Sequence, residues 1–113
     1  MPGKYELSKN RSGQFFFNLK AANGQVILTS SSHPSKDNAL HTLDAVRSSG
    51  SMDHHFERKV STGGQPYFSL KTSDGENLGR SETYSSVAAM EKGIASVKRN
   101  ALTARLIDLS DFF

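Results

Sequence analysis

Phe16, Asn18 and Lys20 alternate along one short stretch, and Tyr67, Ser69 and Lys71 repeat the arrangement 51 residues later. An aromatic ring, a small polar group and a cation at every second position lie on one face of an extended strand. On an open sheet, bases stack on such rings while lysines meet phosphates, so the pattern suits sequence-tolerant binding of single-stranded nucleic acid. The same face offers a second use. Val26 and Leu28 beside Phe16 make an apolar patch in the first copy, and patches of this kind mark protein or self association.

Other reactive side chains form no recognisable constellation. His33, His41, His54 and His55 lie in no metal-ligand spacing, and no cysteine is present to complete a shell. His54 and His55 are expected to point to opposite faces of a strand, and all four to be surface histidines. No serine sits in a nucleophile elbow or beside a histidine and acid, and no glycine-rich phosphate cradle occurs. Glu6 and Glu57, each flanked by Lys or Arg, read as cross-strand ion-pair partners rather than a catalytic pair. A non-enzymatic protein that demands no cofactor and no metal is the expectation.

The spacing of 51 is the organising feature of the chain. Tyr5–Gly50 aligns with Phe56–Ala101 without a gap, and ten of the 46 pairs are identical, among them Gly13/Gly64, Gly24/Gly75 and Ser35/Ser86. Duplication of a folded unit explains why apolar and turn residues coincide together. Within each copy the "YELSK" and "QFFFNLK" segments and their equivalents alternate as strands. Asn23-Gly24 and Asp74-Gly75 supply the positive φ angles of tight hairpins, which return "QVILTS" and "ENLGRS" antiparallel. On strict alternation the open face then displays Glu6, Phe16, Asn18, Lys20, Val26 and Leu28, with Glu57, Lys59, Tyr67, Ser69, Lys71 and Asn77 from the second copy.

The period then becomes helical. Ala39, Leu40, Leu43 and Val46 share one face, as do Val87, Met90, Ile94 and Val97, with Ser35 and Ser86 placed as N-caps. "RLIDL" near the end echoes the first strand a third time, so each copy ends in a strand that pairs into its neighbour. One copy of about 50 residues is marginal alone. The chain is therefore read as one domain over residues 1–113, with repeats near 4–50 and 55–101 and a closing strand near 104–109. The predicted fold is α+β, one antiparallel sheet with both helices on one face, pseudo-twofold symmetric.

Bulk properties agree. The net charge is +3, and residues 1–50 carry six Lys/Arg against three Asp/Glu while the remainder carries eight against eight. No run of about eighteen apolar residues offers a membrane span, and no apolar leader is seen, which points to a soluble cytoplasmic protein.

The segments "GKYELSKN", "FFFNLKAANGQVILTS" and "GIASVKRNA" resemble the YegP-like family of small bacterial tandem-repeat proteins, over Gly3–Ala101. That resemblance implies two β-β-β-α-β units in one sheet with exchange of the strand after each helix, and it implies no established activity. The second repeat keeps the family's "GIASVK" helix, whereas Thr42 stands in the first where Gly93 stands in the second.

Overall fold

A computed structural model describes residues 3–112. Each repeat contributes three strands and a helix: β1 (Lys4–Lys9), β2 (Phe15–Lys20), β3 (Val26–Ser30) and α1 (Lys36–Ser49), then β4 (Phe56–Val60), β5 (Pro66–Lys71), β6 (Asn77–Arg80) and α2 (Val87–Asn100). A short strand β7 (Arg105–Asp108) follows, within the span expected from "RLIDL". Both helices begin as their sequences require. The Ser35 and Ser86 hydroxyls accept from the amides of Asn38 and Ala89 at 3.1 and 3.0 Å, satisfying donors that no helical turn reaches.

The hairpins differ in one respect from the expected turn. Within these two turns only the glycine, Gly24 or Gly75, adopts positive φ, at 87° and 86°, while Asn23 acts through its side chain, its Oδ1 accepting from the Gln25 amide at 3.0 Å. The glycine amide closes the turn onto Ala21 O, or onto Thr72 O in the second copy. Such a three-residue loop feeds a bulge into the returning strand. The β2–β3 register jumps from Leu19↔Leu28 to Lys20↔Val26, leaving Ile27 extra, and the β5–β6 register jumps likewise around Leu78.

The bulge corrects one expectation. Strict alternation places Leu28 on the open face, but after the extra residue it stands opposite Leu19 and is fully buried in the core. Its equivalent one repeat on is Gly79, and the two meet where β3 pairs β6. A β-carbon on residue 79 would lie 2.8 Å from Thr29 O and 3.3 Å from Leu28 Cγ, so glycine leaves the room that Leu28 occupies.

One seven-stranded sheet results, in the order β4-β5-β6-β3-β2-β1-β7. The strand after each helix is exchanged: β4 forms the far edge beside β5, and β7 returns beside β1. The sheet is mixed rather than wholly antiparallel, because β7 runs parallel to β1, starting at Lys4↔Arg105. The helix exit dictates this direction. Asn100 at the end of α2 accepts the Gly3 amide at 2.9 Å, so the chain leaves α2 beside the start of β1 and runs along it.

Both helices pack on one face over a single core that includes Tyr5, Phe17, Leu19, Phe68, Leu70, Leu43, Val46, Ile94 and Val97. Thr42 and Gly93 join the buried helix faces. Val87 does not, being 62% exposed, because it opens the first turn of α2 beyond the sheet. Among the described residues no helix is long and apolar enough to cross a membrane.

Three histidines also depart from expectation. His54 and His55 lie in a single 3-10 turn, Asp53–His55, and not on a strand, since the chain must swing from α1 into β4 there. His55 is buried, its Nδ1 2.7 Å from Lys71 O, and the Nε2 of His33 is buried with no hydrogen-bond partner among the described residues.

Candidate functional site

The face without helices is ordered by register. Glu57, Ser69, Arg80, Thr29, Asn18, Glu6 and Ile107 form one line of neighbours across all seven strands. Hydrogen bonding fixes its centre, with Thr29 Oγ1 donating to Asn18 Oδ1 at 2.7 Å. Phe16 lies to one side of this line and Tyr67 to the other, as a pseudo-twofold axis between β3 and β6 requires. The Arg80 guanidinium sits 6.0 Å from the centre of the Tyr67 ring, within cation–π reach.

Of the residues expected on this face, Phe16, Asn18, Lys20, Val26, Tyr67, Ser69 and Lys71 are placed there by the pairing. Ser69 is 2% exposed beneath its longer neighbours Glu57 and Arg80, so it offers no contact to a partner. Leu28 lies on the opposite face. Phe16 and Val26 flank the Asn18–Thr29 pair on its two sides, so the apolar patch of Phe16, Val26 and Leu28 is not assembled.

The acids behave as their flanking cations suggest. Glu6 bridges Lys20 at 2.8 Å and Lys4 at 3.4 Å, and Glu57 bridges Lys59 at 2.9 Å and Lys71 at 3.0 Å. The Lys20 hydrogen bond chiefly holds the Glu6 carboxyl below its usual range, and the Lys59 hydrogen bond does the same for Glu57. Both acids stay ionised at neutral pH and offer no proton for general acid chemistry.

Even so, cations predominate. Lys4, Lys20, Lys59, Lys71, Arg80 and Arg105 share the strands of this face with Glu6 and Glu57, and Glu82, just beyond β6, lines a cleft with Tyr67 and Arg80, which makes six cations against three acids. The other eight Lys/Arg of the chain are matched by eight Asp/Glu, so the net charge of +3 resides here. The excess thus follows a face, not the half of the chain in which the sequence shows it.

Arg80 is the most central of these cations and escapes a reading by alternation, which assigns it to the core. Only the bulge at Leu78 returns it to the open side. Among the described residues no group of three His, Asp or Glu side chains gathers to hold a metal ion.

Two β-β-β-α repeats closed by an exchanged strand define a tandem-repeat α+β protein. The family described as a domain of unknown function, DUF1508, matches twice, at residues 10–57 and 61–108. The chain is 40% identical over 108 residues to the UPF0339 protein YegP of Escherichia coli, covering 96% of this chain and 98% of that protein. It is 42% identical to YegP of Yersinia pestis over 108 residues, 96% of each. The solution NMR structure of Escherichia coli YegP, a protein of unknown function, superposes with a TM-score of 0.92 at 39% identity, over 97% of this chain and 95% of that one. A UPF0339 protein from Shewanella oneidensis gives 0.91 at 40% identity, over 97% and 93%. The chain belongs to the YegP-like UPF0339 family.

Proposed function

We propose that this is a non-enzymatic, cytoplasmic binding protein whose open sheet face takes a weak, sequence-tolerant hold on single-stranded nucleic acid. The observation that carries this reading is the concentration of the molecule's positive surplus on a face that also presents Phe16 and Tyr67. Rings accept bases of any sequence, and cations beside them meet the backbone. Protein or self association through Phe16 and Val26 has less support, because Leu28 is withdrawn into the core.

The test is an NMR titration of the protein with a short oligothymidylate. Amide shifts at Phe16, Lys20, Tyr67 and Arg80 are expected. If about four phosphates are neutralised, raising salt from about 50 to about 200 mM should weaken binding about fifty-fold. Silence at those amides, or shifts indifferent to salt, would refute nucleic-acid binding. Diffusion that slows with protein concentration would instead support association between copies.

A further inference from the structure

On the helix side of the molecule a groove of about 610 Å³ opens between the β2–β3 hairpin and α2. Ala22 and Ile27 line it from the hairpin, and Ala89, Gly93 and Ser96 from the helix. The size falls within the range of about 300–1,000 Å³ typical of small-molecule sites. Tyr84 sits at its base under firm restraint. Its amide donates to Pro66 O at 2.8 Å and its ring stacks on Phe68 at 6.2 Å, which brings the hydroxyl over Gly93. A β-carbon on residue 93 would overlap that hydroxyl, so glycine is needed there.

Lys92 and Arg99 also line the groove, seven residues or about 10 Å apart along α2. Among the described residues neither forms an ion pair, and no Asp or Glu lines the groove. Two such cations, on a cleft whose lining mixes Ala22, Ile27 and Ala89 with Asn23, Gln25 and Ser96, invite an anion.

The repeat supplies an internal comparison. At the equivalent positions in the other half, Thr42 replaces Gly93, His33 replaces Tyr84, and His41 and Ser48 replace Lys92 and Arg99. The hairpin there brings Asp74 and Glu76 where Asn23 and Gln25 stand in the first copy. One scaffold therefore folds with either set; the glycine answers to Tyr84, but folding alone does not account for the two cations.

We propose that this groove binds a small organic phosphate, its head between Lys92 and Arg99 and its flat body against Ala22 and Ile27. A phosphate monoester carries about −1.5 to −2 at neutral pH and matches two cations better than one carboxylate does. The arginine fork suits its oxygens.

A titration of the full chain followed by amide shifts, with adenosine monophosphate as the probe, tests the site. Saturable shifts at Ala22, Gly24, Gly93 and Ser96 are expected, with adenosine and inorganic phosphate each binding at least about tenfold more weakly. Because Lys92 and Arg99 are both exposed, the double variant Lys92→Gln/Arg99→Gln should fold normally and lose at least about tenfold in affinity. Absence of groove shifts would overturn the proposal. So would adenosine binding equally well, undiminished affinity in the double variant, or shifts confined to Tyr67 and Lys71 on the sheet face.

Discussion

Leu28 and Gly79 occupy equivalent positions in the two repeats and meet at the seam between them. Two leucines there would collide and two glycines would leave a void, so the pseudo-symmetry is broken at a place where keeping it would cost packing. The prediction at this scale is a contrast. Leu28→Ala removes a fully buried side chain and should destabilise the protein by about 2–5 kcal/mol. Lys20→Gln, on the open face and partly exposed, loses an ion pair worth at most about 1 kcal/mol. Urea denaturation of both variants decides. Equal, small effects would return Leu28 to the surface and restore the apolar patch as a binding surface.

β7 is the element that joins the ends of the molecule, and a single carboxylate anchors it. Asp108 Oδ1 accepts from the Ser110 hydroxyl at 2.6 Å and amide at 2.9 Å, while Oδ2 meets Lys36 Nζ of α1 at 2.9 Å. Its carboxyl is pushed down to about 2, first by the Ser110 hydroxyl and then by Lys36. A folded pKa below the unfolded value of about 3.9 means stabilisation that is complete above about pH 4 and fades as pH falls toward 2. Asp108→Asn should therefore lower the urea midpoint at neutral pH by a modest amount, since the side chain is 37% exposed. The gap between variant and parent should close as the medium is acidified through that window. A gap that persists at pH 2 would show that the charge of Asp108 is not what holds β7. Elements whose signals are local were legible in the sequence: the serine caps, the glycine turns, the two helices and the alternation that places Phe16, Asn18, Lys20 and Tyr67 on one face. The extra residues Ile27 and Leu78 were not, because a bulge depends on how a turn meets its partner strand. With them went Leu28 and Arg80. Nor was the direction of β7, which is set by where α2 ends in space.

At the scale of the whole molecule, neither repeat closes its own interior. α1 packs on β2, β5 and β6, and α2 on β3 and β5, so each helix covers strands from both copies. Arg47 of α1 reaches across to donate to Ala104 O at 2.7 Å and lies 4.8 Å from the Tyr5 ring, whose hydroxyl donates to Ala101 O. Halves so interleaved should open together, because exposing one interior exposes the other. Leu70→Ala, in β5 of the second repeat, is expected to cost about 2–5 kcal/mol. Native-state hydrogen exchange should show the slowest amides of β1 and β2, in the first repeat, losing protection by the same free energy as those of β5. If β1 and β2 kept their protection while β5 lost it, the repeats would be independent folding units. The line of side chains from Glu57 to Ile107 would then have no common rigid support, and an open face reading one strand of nucleic acid across both repeats would lose its structural basis.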